Sequence, residues 1–136
     1  MDGSGLLRSV DAVTVPVPDL DAGLRFYRDA LGHDLKWRNG DIGQAGLALP
    51  DGESELVLAV GHRYEPNWLV RDVEEAVARI VEHGGSMVAE PFDIPVGRVA
   101  VVADPFGNTL VLVDLSKGTY DTGDDGQLTG VSQPGR

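Results

Sequence analysis

Apolar and polar residues partly alternate along DAVTVPV (11–17), the two-residue period of a strand with one buried face. Pro16 and Pro18 place this strand at an edge or close to its end. Asp19 has the chemistry of a helix N-cap, and Leu20, Leu24, Tyr27 and Leu31 then recur at helical spacing as far as Gly32. The spacing predicts a helix over 20–31. A strand over 33–38 runs into Asn39-Gly40, the dipeptide of a tight two-residue hairpin. Strands over 43–49 and 55–60 follow, joined by the turn Pro50-Asp51-Gly52. The first half therefore reads β-α-β-β-β.

The second half repeats that order. A strand over 67–70 leads to Asp72, a second N-cap, and to a helix carrying Val73, Val77 and Ile80 that Gly84-Gly85 ends. Strands over 87–89 and 98–103 precede the turn Asp104-Pro105-Phe106-Gly107-Asn108, and a strand over 109–115 closes the set. The two Asp caps stand 53 residues apart, as do Gly32 and Gly85. At that offset Val17 meets Val70, Leu20 meets Val73 and Leu24 meets Val77; at an offset of 54, Leu56-Val57-Leu58 meets Leu110-Val111-Leu112. Asp caps and Gly stops are common, so two unrelated strand–helix units could share them. Agreement of the element order beyond the helix points instead to duplication. The expectation is an α+β fold in a single domain over 1–115, with modules at about 9–60 and 65–115. The remainder, 116–136, is polar and Gly-rich and is expected to be a flexible tail, or docked on a neighbour.

Composition narrows the function classes. The 136 residues are 42 % apolar, enough for a core without covalent staples. Cysteine is absent, which excludes thiol catalysis, disulfides and zinc sites built on sulfur. Twenty-two acidic against 11 basic residues give a net charge of −11, which repels nucleic-acid backbones and anionic membranes. No apolar run reaches the roughly 20 residues of a spanning helix. MDGSGLLRSV has no basic segment followed by an apolar one, so a cytoplasmic location without a signal peptide is expected.

The segments VPVPDLDAGLRFYRDALG and ADPFGNTLVLVD, set in two β-α-β-β-β units, resemble the vicinal oxygen chelate superfamily. That group includes glyoxalase I, extradiol dioxygenases, fosfomycin-resistance enzymes and bleomycin-binding proteins. The resemblance covers about 10–115 and implies modules curled into a cup-shaped mixed sheet around a ligand cavity. It also implies homodimers formed through sheet edges and helices. Metal-using members place one ligand on the first and one on the last strand of each module, typically His or Gln and Glu. The matching positions here are Ala12, Val57, Glu65 and Val111. Ala and Val offer a cation no lone pair, and one carboxylate falls short of the three or more ligands of a catalytic site. Even with Glu55, which shares strand parity with Val57, two carboxylates and water would hold Mg²⁺ or Mn²⁺ only weakly. No metal and no cofactor is expected. The resemblance then implies a binding protein that sequesters a small organic molecule by aromatic stacking and desolvation.

Strand alternation places Thr14 and Pro16 on the face of Ala12, and Asn67 and Leu69 on the face of Glu65. Asn67 either orients a ligand amide or carbonyl or satisfies a strand-end backbone group. Glu65 is the best candidate for a base or for a partner of a cationic ligand; beside Pro66, it equally suits a solvated linker. Trp37 fits stacking on a planar ligand as well as plain packing, whereas Trp68 has the parity of the helix side. Phe92 and Arg98 bracket a candidate flap in which Arg98 pairs an anionic ligand or stands free at the surface. The candidate ligand-binding set is thus Thr14, Trp37, Glu55, Val57, Glu65, Asn67, Phe92, Arg98 and Val111. His33, His62 and His83 are dispersed, and neither a Ser-His-Asp order nor a phosphate-binding glycine loop is present. Two alternatives remain. One is an enzyme, either a divergent metal-dependent lyase or dioxygenase or a metal-free isomerase using Glu65 or Glu55 as base. The other is a scaffold whose cup serves subunit association.

Overall fold

Asp19 and Asp72 each start a helix by the same device. In the computed structural model, which describes residues 5–124 and 126–132, Asp19 accepts a hydrogen bond from the Ala22 N–H at 2.7 Å. Asp72 accepts one from the Glu75 N–H at 2.9 Å. Both caps have extended backbone and satisfy N–H groups that the first helical turn leaves open. The chain divides into two compact units, one built on residues 12–65 with 120–130, the other on 66–119 with the described residues before 12 and after 130.

In the first module, β1 (Ser9–Pro16) leads to α1 (Leu20–Leu24), a π-helical segment (Arg25–Ala30), β2 (Leu35–Asn39), β3 (Gln44–Ala48) and β4 (Glu55–Ala59). The strands lie in the order β2-β3-β4-β1, with β1 parallel to β4 and the other pairs antiparallel. Leu20 and Leu24 of the helix bury against Val15, Ala45, Leu47 and Leu58. The continuous α-helix predicted over 20–31 is not formed. The wider π turn, closed by a Leu31 N–H to Phe26 carbonyl bond of 3.0 Å, takes up extra residues per turn. Tyr27 keeps its place on the core, while Leu31 is carried off the apolar stripe and stands 53 % exposed. Gly32, at φ +85°, ends the segment as predicted.

The Asn39-Gly40 hairpin also differs from expectation. Asn39 pairs with Gln44, so the loop holds four residues, and among the described residues positive φ is confined to glycines other than Gly40. Asn39 instead accepts from the Asp41 N–H at 3.2 Å, and Gly43, at φ +67°, makes the return.

The second module runs β5 (Glu65–Leu69), α2 (Val73–Glu82), β6 (Ser86–Ile94), β7 (Gly97–Ala103) and β8 (Thr109–Asp114). Its strand order, β6-β7-β8-β5, mirrors the first, again with one parallel pair, β5 with β8. Val73, Ala76 and Val77 bury against Val70, Ala100, Val102 and Leu112, and Trp68 packs on this cluster as its parity predicts. Strand β6 is much longer than the predicted 87–89. The segment read as a flap is strand, with Phe92 opposite Val99, and the register shift between Ala89 and Phe92 takes up Pro91 on this sheet-edge strand.

The 116–136 segment, expected to be a flexible tail, contains β9 (Thr119–Thr122) and β10 (Leu128–Ser132), which pair as a separate two-stranded sheet. Its residues 125 and 133–136 lie outside the described residues. Composition missed this hairpin because a strand needs only alternate side chains and backbone partners. A single leucine, Leu128, supplies the packing contact to the first module. The architecture is α+β, built from the two β-α-β-β-β modules that the repeat predicts.

Candidate functional site

Each module presents one sheet face to its helix and one away from it, and the candidate residues concentrate on the second. In the first module, strand register lines up Trp37, Gly46, Val57 and Thr14 across β2, β3, β4 and β1. A β-bulge puts Trp37 there. Leu35 opposes Leu47 and packs in the helix-side core, yet Trp37 opposes Gly46, because the register shifts by one residue at Lys36. Without that shift, residues two apart would share a face.

The Trp37 indole is buried among Ala12, Val57 and Leu128. It occupies the space that a side chain at Gly46 would need. Its Nε1–H donates to Glu55 Oε1 at 2.7 Å, and Lys36 Nζ lies 3.3 Å from Glu55 Oε2. Glu55 is opposite Ala12, so both face the same way. Four of the predicted residues, Thr14, Trp37, Glu55 and Val57, are therefore gathered on one face.

In the second module the equivalent row is Ala89, Val101, Val111 and Asn67 across β6, β7, β8 and β5. Beside it runs a second row, Phe92, Val99, Val113 and Leu69. Asn67 stands opposite Val111 as Thr14 stands opposite Val57, so the repeat seen in the sequence is a repeat of strand register. Where the first module places Trp37, the second places Ala89. Asn67 is the one polar side chain in these two rows, and Phe92, their one aromatic, is 47 % exposed. Glu65 begins β5 and is half-buried.

Arg98 does not join this group. It lies one residue off the parity of Val99 and Val101, and its guanidinium pairs with Glu74 on α2. It also lies 3.5 Å from Asp93 and donates to the Pro91 carbonyl at 3.2 Å. With two carboxylates already against it, its charge is engaged locally.

Asp114, which sequence reasoning passed over, is almost wholly buried where β8 ends. Its carboxylate accepts from the Val73 N–H at 2.9 Å, the Arg98 N–H at 3.1 Å, and from Ser116 through both Oγ at 2.7 Å and N–H at 3.2 Å. Burial pushes its pKa up, but the Ser116 hydroxyl and then the three N–H donors outweigh this and leave it below the ordinary value. The available signal was an acidic residue ending the apolar run LVLV. In the DPFGN turn, Asp104 is likewise held below its ordinary value, first by the Asn108 side chain at 2.8 Å and then by backbone N–H groups. Both residues organise backbone.

The donor set does not fit the metal that the resemblance implies. Ala12 and Val57 lie inside an apolar cluster, and Val111 faces Asn67 across a strand pair. Among the described residues, no three His, Cys, Asp or Glu side chains come together in a way that could hold a metal ion.

Comparison with known proteins accords with this architecture. The chain is 33 % identical over 121 residues to the anthracycline biosynthesis protein DnrV of Streptomyces peucetius, covering 86 % of this chain and 39 % of that protein. It is 31 % identical over 134 residues to DauV of Streptomyces sp. strain C5, covering 90 % and 47 %. It thus spans less than half the length of either relative. Among solved structures, methylmalonyl-CoA epimerase from Mycobacterium tuberculosis superposes with a TM-score of 0.67 at 24 % identity, over 84 % of this chain and 92 % of that one. That likeness concerns the fold. The model of the Glyoxalase/Bleomycin resistance protein/Dioxygenase superfamily matches residues 9–112, nearly the whole span of the two register-matched modules. The chain belongs to this superfamily.

Proposed function

We propose that the protein binds a small organic molecule on the helix-free sheet faces of its modules, without the metal used by catalytic members of its superfamily. The observation that carries this reading is the chemistry at Ala12, Val57 and Val111, where side chains without lone pairs stand at expected ligand positions. The same faces offer what an apolar planar ligand needs. Valines and Phe92 give contact area in the second module, and Asn67 contributes a single donor–acceptor pair to set orientation. Two relatives are named for anthracycline biosynthesis, which makes a polycyclic aromatic molecule the first ligand class to test.

Titration calorimetry with Zn²⁺, Ni²⁺ and Mn²⁺, run beside a fluorescence titration with an anthracycline, tests the reading. The expected result is saturable binding of the aromatic compound, unchanged by chelator, with no stoichiometric tight metal. Tight uptake of one metal ion per chain would overturn it, as would turnover that depends on added metal. The protein is further proposed to act in the cytoplasm and as a homodimer, the assembly common in its superfamily. Light scattering during size-exclusion chromatography checks the dimer.

A further inference from the structure

The hairpin β9–β10 forms its own two-stranded sheet, yet its tip is fastened to the first module. The Arg38 N–H donates to the Gly126 carbonyl at 2.7 Å, and Arg38 and Gln127 form a parallel bridge beside edge strand β2. Gly126 has φ +82°, and a Cβ there would stand 2.7 Å from Leu35 Cδ2, so this close approach needs glycine on two counts. One residue past the bridge, Leu128 packs onto Ala12, Trp37 and Val57. That is the face carrying Thr14, Val57 and Glu55, four-stranded and otherwise free of any helix. The other described side chains of β10 are half-buried or exposed, and a two-stranded hairpin has little stability of its own.

We propose that the β9–β10 hairpin is a displaceable cover, with Leu128 occupying the helix-free face of the first module where a ligand of that face would sit. The proposal rests on the ligand-binding reading above and adds its regulation: a ligand of this face competes with a residue of the same chain. Its apparent affinity is lowered by the fraction of molecules in which the cover is closed.

The test uses the full chain in a Trp68→Phe background, so that Trp37 is the single tryptophan. This background removes an indole N–H that is buried without a hydrogen-bond partner in the second module. Leu128→Asp and, separately, Gly126→Val are compared with the parent by emission maximum, acrylamide quenching and titration with the neutral dye Nile red. The expected result is a red-shifted Trp37, several-fold stronger quenching, and Nile red affinity raised by about tenfold while far-UV circular dichroism is retained, since removing a packed leucine is an effect of about that size. If both variants stay folded with Trp37 as protected as in the parent, the cover is disproved. If both lose their far-UV signal, the hairpin is an integral part of the fold and the proposal also fails. The tryptophan readout needs no ligand. A positive result with no anthracycline binding would therefore retain the cover and sink the ligand reading, and the converse outcome would do the reverse.

Discussion

Gly46 faces Trp37 across β3 and β2, and the indole fills the volume that any side chain at Gly46 would take. The pair fixes the indole where its N–H reaches Glu55. Gly46→Ala forces the ring out of this position. The expected loss is about 2 kcal/mol, the usual cost of overpacking a tight site. Urea unfolding measures it, and the near-UV dichroism of Trp37 should weaken in parallel. No loss of stability and an unaltered near-UV spectrum would contradict this account of the glycine.

Asp114 joins three segments of the second module: the start of α2 at Val73, the start of β7 at Arg98, and the turn at Ser116. Asp114→Ala leaves buried N–H donors unmatched, with an expected loss of about 3 kcal/mol. Asp114→Asn keeps one acceptor oxygen and should lose less. Gly97 belongs to the same junction, because a side chain there would collide with the Asp114 backbone and carboxylate.

The same carboxylate sets a pH dependence. Its pKa is lower in the folded chain than the ordinary value near 3.9 in the unfolded chain, so the unfolded state binds the proton more readily. The stability it contributes is therefore fully present above about pH 4 and is lost as pH falls through the depressed folded value. Asp104 acts in the same direction, with solvent exposure limiting its share. Thermal unfolding between pH 6 and pH 2.5 should show a shallower acid limb for Asp114→Asn than for the parent.

Gly107 tests a different use of glycine. Its φ is +90°, and a Cβ there would meet nothing within 4 Å. Gly107→Ala should thus cost only backbone strain, about 1 kcal/mol, with no change in the near-UV spectrum. A larger loss would mean that the DPFGN turn has a packing role beyond its conformation.

The fold was legible because its signals are local and doubled. Asp19 and Asp72 cap both helices, Gly32 and Gly84 end them at positive φ, and the offset of the two caps carries over into strand register, where Thr14 opposite Val57 matches Asn67 opposite Val111. The site was legible only as far as period-two alternation holds. Thr14, Val57, Asn67 and Val111 follow it. Arg98 obeys it too, but its companions Glu74 and Asp93 come from α2 and β6, a pairing no spacing announces. The cover by Leu128 depends on a hairpin whose tip bonds to the backbone of Arg38, so composition was silent about it. Asp114 was overlooked for a related reason: two of its donors, Val73 and Arg98, lie far from it along the chain.

The register shift at Lys36 gives that position an importance its own exposed side chain does not suggest. It acts as a parity setter for β2: because the bulge takes up this one extra residue, Leu35 and Trp37 face opposite sides of the sheet although they stand two apart in sequence. Were Lys36 instead drawn into the ladder without the shift, Trp37 would share the side of Leu35 and compete for the helix-side core, and the helix-free face would lose its aromatic ring although no residue had been substituted. A homologue one residue shorter here would reach the same placement of the ring by plain alternation, whereas one that kept its length but lost the bulge would turn the ring to the helix side.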